Sequence, residues 1–136
     1  MSRNLPPQLI QSCFLANVPE ATYRSAGQSS KLPLEFNVAA WLGFPIPPAE
    51  AVGIVLHYTD KRGRHAMLID ECVEVEGFSL MLSGKVSVPA AGNIEHMSIH
   101  CSGITDKQNV RVDELFVQRV QQSAAALRRA RFAATG

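Results

Sequence analysis

The hydrophobic residues of the chain fall in short runs that are separated by turn-forming residues. The run from Val52 to Tyr58 is apolar on nearly both faces, and the charged, glycine-containing segment DKRGR follows it. The chain then returns as HAMLIDECVEVE, in which apolar and polar residues alternate. Two strand-length runs on either side of such a turn predict a β-hairpin. This is the clearest hairpin in the sequence.

Three runs show the period of two that is typical of half-buried strands. In the returning arm of the hairpin, the apolar face consists of Met67, Ile69, Val73 and Val75. In the next run it consists of Phe78, Leu80, Leu82, Val86 and Val88. In IEHMSIHC it consists of Met97, Ile99 and Cys101. Each pattern predicts a strand with one face toward a core and the other toward water.

Consecutive half-buried strands with short turns favour an antiparallel meander or a closed barrel, because closure removes the unpaired edges through which sheets aggregate. The sequence therefore predicts a mainly β domain over residues 1–120, built as a small closed antiparallel barrel. The segment 110–120 fits either a last strand or a helical stripe, and we interpret it as a strand. Residues 121–136 are rich in Ala and Arg, which predicts a basic C-terminal helix as a tail.

Composition narrows the class of protein. A chain of 136 residues is long enough for one hydrophobic core. Its net charge is only +1, so contact with nucleic acid requires a local basic patch. Cys13, Cys72 and Cys101 lack CxxC spacing, which favours reduced thiols over a disulfide framework or a zinc knuckle. Neither a signal peptide nor a membrane-spanning run is recognisable, so a cytoplasmic protein is expected.

The segments VPEATYRSAG and LEFNVAAW contain an ordered set of residues, namely Pro19, Glu20, Tyr23, Gly27, Phe36, Val38 and Ala39. This order resembles the opening of the bacterial single-stranded-DNA-binding protein family. Further along, HMSIHCSGITDKQNVRVDELFVQ is similar to the later strands of that family and of the related primosomal OB-fold proteins. The resemblance implies an OB-like barrel and a homo-oligomer. It also implies non-catalytic, largely sequence-independent binding of single-stranded DNA, with single-stranded RNA as the alternative ligand.

OB-type sites stack bases on aromatic rings while Lys and Arg follow the phosphates. The first candidate for such a surface is the hairpin tip with its flanking ring, namely Lys61, Arg62, Arg64, His65 and Tyr58, although a solvated turn would show the same residues. The other candidate stacking rings are Tyr23, Trp41 and Phe44. Tyr23 is expected to be the most exposed of these, because polar residues surround it. Arg24, Lys31 and Lys85 would extend the basic track.

Other polar clusters carry weaker predictions. His96 and His100 lie too far apart along one strand to hold a metal ion unless His57 or His65 joins them, so no metal site is predicted. Asp70, Glu74 and Glu76 share a strand face, which is more typical of a solvated face than of acid–base chemistry. Since the chain has no phosphate-binding glycine loop, GxSxG elbow or HExxH helix, we expect neither an enzyme nor a cofactor.

Two further interpretations stay open. The small barrel fits an adaptor for protein interaction, or a sensor similar to the PilZ cyclic-dinucleotide receptors, in which a helix follows the barrel. The C-terminal tail with Arg128, Arg129 and Arg131 also fits docking on an acidic protein partner or on nucleic acid.

Overall fold

The structure, a computed structural model, describes residues 4–5, 12–24, 34–90 and 92–120. In chain order its strands are β1 (Asn4–Leu5), β2 (Ser12–Asn17), β3 (Leu34–Gly43), β4 (Val52–Asp60), β5 (Gly63–Cys72), β6 (Ser79–Val88), β7 (His96–Ser102) and β8 (Arg111–Val120). Its helical segments are α1 (Glu20–Tyr23) and a 3-10 helix at Lys107–Asn109. The prediction of a mainly β domain is confirmed.

The strands form two antiparallel sheets. The five-stranded sheet has the order β1-β5-β4-β7-β2, and the three-stranded sheet has the order β6-β3-β8. The predicted hairpin of β4 and β5 is confirmed, with Val52 opposite Cys72 and Asp60 opposite Gly63. The predicted meander is wrong for the other described strands, since each remaining pair joins strands that are not consecutive in the chain.

The described strands do not close into one hydrogen-bonded barrel. One physical reason lies between β3 and β4, where the chain carries Pro45, Pro47 and Pro48. Proline has no backbone N–H to donate, so the strand ladder cannot continue through this segment. The chain passes instead from the three-stranded to the five-stranded sheet, and β3 pairs with β6 and β8.

The hydrophobic core is built from the facing sides of the two sheets. Every second side chain of β3 from Leu34 to Leu42 is buried, and Phe36 is fully enclosed. The predicted apolar face of β7 is confirmed, because Met97, Ile99 and Cys101 are all fully buried. Burial of a side chain of this size stabilises the fold by about 1.5–3 kcal/mol, so these strands fix which face of each sheet points inward.

The alternation fails at the junction of β5 and β6. Val73 and Phe78, predicted to face the core, are 74% and 61% exposed. Since β5 ends at Cys72 and β6 begins at Ser79, both residues lie in the connecting loop, where the period of a strand no longer sets their direction. Within the strands the prediction is confirmed, since Ile69 packs against the core and Leu82 is buried.

Residues 111–120 form β8, so the interpretation of this segment as a strand is confirmed. Leu115 and Val117 pack against the core, while Phe116 between them is exposed. The predicted basic tail, residues 121–136, lies outside the described residues, and the proposed boundary at residue 120 stays a prediction. Among the described residues, no helix is long and apolar enough to cross a membrane.

The three cysteines carry free thiols. Cys13 and Cys101 are buried and lie opposite each other on β2 and β7. Burial raises the pKa of Cys101 to about 12 and also raises the pKa of Cys13. Both thiols are therefore protonated at neutral pH, which makes them poor nucleophiles.

Candidate functional site

The outer face of the five-stranded sheet carries a pocket of about 190 Å³. Leu56 and Tyr58 on β4 belong to the core, so the alternation of the strand turns His57 and Thr59 outward. The outward-facing residues that line the pocket are Phe14, His57, Thr59, Arg64, His96, Ser98 and His100. None of the described lining residues is acidic.

Strand register brings these side chains together. His57 lies opposite Ser98 on β7, and Thr59 lies opposite Arg64 on β5 and His96 on β7. On the far side of β7, Phe14 of β2 lies opposite His100. Directly opposed residues of antiparallel strands project from the same face at about 4.5–5.5 Å, so the pocket follows from pairing between strands that are distant in sequence.

Two histidines form the centre of the pocket. The rings of His57 and His100 are stacked with their centroids 3.7 Å apart and an angle of 15° between planes. Burial lowers the pKa of His57, and the positive charge of Arg64 lowers it further. Burial, then His57, Arg64 and His96, lower the pKa of His100 to about 4. Both rings are therefore neutral at pH 7.

Hydrogen bonding differs between the two rings. His100 Nε2 lies 2.9 Å from Ser98 Oγ, which fixes the direction of that ring. His57 Nε2 is buried, and no described atom forms a hydrogen bond with it. A buried polar atom without a partner costs about 1–3 kcal/mol, so His57 is the least satisfied group of the pocket.

An aromatic and basic rim borders the histidine pair. Phe14 is 39% exposed, and its ring meets His100 edge to face at 5.5 Å between centroids. Lys107 Nζ lies over the ring of Phe14, 5.3 Å from its centroid, within the range of a cation–π contact. His96 Nε2 is paired with Asn17 Oδ1 at 2.9 Å. The rim thus offers one accessible aromatic ring next to positive charge.

The hairpin tip projects beside this pocket. Asp60 is almost fully buried, and its Oδ1 accepts a hydrogen bond from the backbone N–H of Arg62 and lies 2.9 Å from His65 Nε2. This carboxylate holds the turn in one conformation, and Gly63 adopts a φ of 118° that favours glycine. Lys61, Arg62 and Arg64 remain exposed, as predicted for a basic tip.

Several predicted rings are not accessible. Tyr58 is 2% exposed and stacks on His65, its cross-strand neighbour, on the core side of the sheet. Phe44 is 3% exposed because it belongs to the core cluster just after β3. Tyr23, expected to be the most exposed, is 5% exposed, since α1 turns it inward toward the Glu95 carbonyl. The expected exposure of these three rings is therefore wrong.

Other predicted residues lie on different surfaces. Trp41 is 39% exposed, but it projects from β3 on the outer face of the three-stranded sheet. Lys85 projects from β6 of that same sheet, with its Nζ 3.8 Å from Glu35 Oε2. Arg24 forms an ion pair with Glu20. Lys31 lies outside the described residues. The structure thus brings Arg64 and His65 to the pocket and leaves Trp41, Lys85 and Arg24 elsewhere.

Sequence patterns alone gave no signal for Phe14 or for the role of His57. The convergence that a metal site would need does occur in part, because His57 joins His96 and His100 across the sheet. However, no group of three His, Cys, Asp or Glu side chains among the described residues is arranged to hold a metal ion.

The Asp70 carboxylate accepts hydrogen bonds from the N–H groups of Glu71 and Ser83, so it serves backbone pairing.

A second exposed cluster lies on the outer face of the three-stranded sheet. Trp41, Met81 and Phe116 are 39%, 49% and 53% exposed, and we call them the apolar patch. Trp41 lies opposite Met81 on β6, and its ring meets Phe116 edge to face at 6.0 Å. The patch borders a groove lined by Asn37, Ser83 and Gln118 among others. Side chains of this size are seldom clustered on a surface without a partner.

The chain was compared with protein-family models, curated proteins and solved structures. No family model, no curated protein and no solved structure matches the chain. The similarity to the single-stranded-DNA-binding proteins therefore rests on the residues named above.

Proposed function

We propose that the protein binds single-stranded nucleic acid, DNA before RNA, without a catalytic step and largely without sequence specificity. The binding surface is the outer face of the five-stranded sheet together with the hairpin tip. One observation carries the proposal: a pocket with no acidic residue among its described lining brings Arg64, two stacked imidazoles and the accessible ring of Phe14 together. Single strands need both a basic track and a ring on which a base can stack.

The geometry suggests a path for the strand. Phosphates would pass from Lys61 and Arg62 at the tip to Arg64 at the pocket, where the next base stacks on Phe14. Lys107, whose ammonium lies over that ring, would meet the following phosphate. Each of these contacts uses backbone charge or a ring face, which every nucleotide offers. Sequence-independent binding follows from that chemistry.

The charge of the tip can be tested with a labelled oligothymidine by fluorescence anisotropy. For Lys61→Gln, Arg62→Gln and Arg64→Gln combined, we expect about 30-fold weaker binding at 50 mM salt. We also expect the slope of log K against log salt to fall by about 2, since each single-strand phosphate contact contributes about 0.7. Cyclic dinucleotide added as a competitor tests the PilZ-like alternative in the same titration.

A matched control removes the same charge elsewhere. Arg24→Gln, Lys85→Gln and Arg111→Gln also change the net charge by three, but these side chains are ion-paired and lie outside the pocket. The control triple variant should bind within a factor of about two of the parent protein. Equal losses in both variants would show that only total charge matters, and no binding by the parent at 50 mM salt would reject the function.

The OB-like barrel remains part of this proposal. Its support is the contact between the two sheets at β5 and β6, where the Ser83 N–H donates to Asp70 Oδ2 at 3.0 Å. Next to it, Gly84 packs so closely on the Ile69 carbonyl that a Cβ there would lie 2.9 Å from its oxygen. The sheets thus approach along one edge, as in a barrel that is closed by side chains. The proposed C-terminal helix and cytoplasmic location complete this picture.

A second candidate function is protein interaction, and the apolar patch favours it. We propose a second copy of the chain as the occupant. Phe116 lies on β8, the edge strand of the three-stranded sheet, so among the described strands the outer backbone groups of β8 have no strand partner beside the exposed apolar side chains. Edge-to-edge pairing of β8 with β8 would join two patches into one surface, which agrees with the predicted homo-oligomer.

Light scattering coupled to size-exclusion chromatography tests this pairing. We expect a dimer for the parent protein. Trp41→Ser combined with Phe116→Ser should weaken self-association at least about tenfold, because removal of two apolar side chains from the interface should cost at least about 1.4 kcal/mol of association free energy. Phe78→Ser is the matched control, since Phe78 is 61% exposed but lies in the β5–β6 loop. A monomeric parent, or a double variant that remains dimeric, would contradict the proposal.

A further inference from the structure

The histidine pair has an environment that opposes its protonation. The titratable groups that line the pocket around the two rings are Arg64 and His65 from β5, Tyr58 from β4 and His96 from β7, and Ser98 is bonded to His100. Burial lowers the pKa of both histidines, and every charged group that shifts them is a cation or another histidine. A proton on either ring would therefore sit in an uncompensated positive field.

The neighbouring carboxylate does not relieve this field. Asp60, the acidic residue of the hairpin, is on the core side of β4 and is engaged with His65 and the Arg62 N–H. From the 3-10 helix, Lys107 adds positive charge over Phe14. From β2, Asn17 contributes an amide oxygen that is paired with His96. The described elements around the pair thus supply cations and neutral groups.

We propose that His57, His100 and Arg64 form an oxyanion site that takes up a phosphate group together with one proton. The pocket has room for it, since about 190 Å³ corresponds to about six water molecules. Arg64 supplies the planar fork that matches a phosphate. The imidazoles of His57 and His100 both line the pocket, and the ring that carries the proton has two N–H donors, one of which supplies the remaining hydrogen bond.

Binding and protonation support each other in this site. The solvent proton adds to one imidazole of the stacked pair, and the anion offsets the charge that His57, His100 and Arg64 would otherwise place together. An opposite charge close to a histidine favours its charged form, and by linkage the same proton strengthens anion binding by an equal factor. The inference rests on the proposed function in one respect: under that function, the phosphate group is part of the bound nucleic-acid strand.

Sulfate is the suitable probe, because its charge does not change between pH 5 and 8. Calorimetric titration of sulfate at constant ionic strength should give about tenfold tighter binding at pH 5.5 than at pH 7.5. At pH 5.5, two buffers of different ionisation enthalpy should show uptake of about one proton, and at pH 7.5 the uptake should be much smaller. His57→Gln keeps a donor of similar length but cannot titrate, so proton uptake should fall while binding at pH 7.5 persists.

Two further variants complete the test. Arg64→Gln should weaken sulfate binding at both pH values, and Lys85→Gln, on the other sheet, should change neither affinity nor proton uptake. Proton NMR of the imidazoles should show titration of His57 or His100 moving to higher pH when sulfate is added. Absence of sulfate binding at pH 5.5, or binding without proton uptake, overturns the inference.

Oligonucleotides separate this inference from the proposed function. An oligothymidine that binds with no dependence on pH, while sulfate fails to bind, leaves the function intact and rejects the proton-coupled site. Sulfate binding with proton uptake but no oligonucleotide binding supports the site and rejects the function. A 5′-phosphorylated oligothymidine that binds more tightly than its 5′-hydroxyl counterpart assigns the site to a terminal phosphate, and equal binding assigns it to the internal backbone.

Discussion

Replacement of Gly103 by alanine is expected to destabilise the protein by about 2–5 kcal/mol. Gly103 follows β7 with a φ of 86°, a conformation that costs an alanine about 1–2 kcal/mol. A Cβ at this position would also overlap the carbonyl oxygen of Ala51, directly before β4. Relief of that overlap requires the backbone to move, which adds about 1–3 kcal/mol. The free energy of unfolding in urea, followed by circular dichroism, measures the total.

Gly77 provides a matched control for this substitution. It has nearly the same φ, 82°, but no atom lies within 4 Å of where its Cβ would be. Gly77→Ala should therefore cost only the conformational part, about 1–2 kcal/mol. The difference between the two variants isolates the close approach of the two chain segments. Equal costs would show that the contact between Gly103 and Ala51 has no energetic importance.

This contact matters for the pocket as well as for stability. Gly103 packs the chain after β7 against the chain before β4, and these two strands carry His100 and His57. The register that places His57 opposite Ser98 is set over the whole β4–β7 ladder, and its end is fixed here. A shift at this end would move the two rings relative to each other, so Gly103→Ala should also weaken sulfate binding.

The sequence predicts the direction of many side chains but not the partners of their strands. The alternation in β7 correctly places Met97 and Ile99 in the core, because period two is a local property. The pairing of β3 with β6 and β8 depends on contacts between residues at least 36 positions apart, which a local period does not encode. A closed meander is the simplest topology for those strands. The prolines before β4 favour instead a connection from one sheet to the other.

The same limit applies to the candidate site. Lys61, Arg62 and Arg64 were predictable because a charged turn between two apolar runs is a local signal. His57 was hidden within an apolar run, and its stacking on His100 requires the β4–β7 register. The predicted exposure of Tyr23 is wrong for the opposite reason. Polar neighbours in the chain say little about the burial of a ring that α1 turns toward the core. Phe14 gave no signal beyond its place on an N-terminal strand.

Acidification is expected to destabilise the protein through the histidine pair. Burial keeps His57 and His100 neutral in the folded state, and burial together with the neighbouring positive charges lowers the pKa of His100 from 6.5 to about 4. The unfolded chain therefore binds more protons below pH 6.5, so stability is fully present above that pH and is lost as the pH falls toward 4. A shift of this size corresponds to about 3 kcal/mol, which solvent screening of a half-buried ring reduces to about 2 kcal/mol.

Urea unfolding at intervals between pH 7.5 and 4.5, in chloride buffer without sulfate or phosphate, measures this loss. His100→Asn removes the titrating ring, so its free energy of unfolding should fall less steeply over the same range. Carboxylates titrate in both proteins, and the difference between the two curves isolates the histidine contribution. Parallel curves would show that protonation of His100 makes no contribution to the pH dependence of the free energy of unfolding. If the pair also binds an oxyanion with a proton, sulfate at pH 5.5 should restore stability in the parent protein more than in His100→Asn, because the anion compensates the charge that acidification places on the rings.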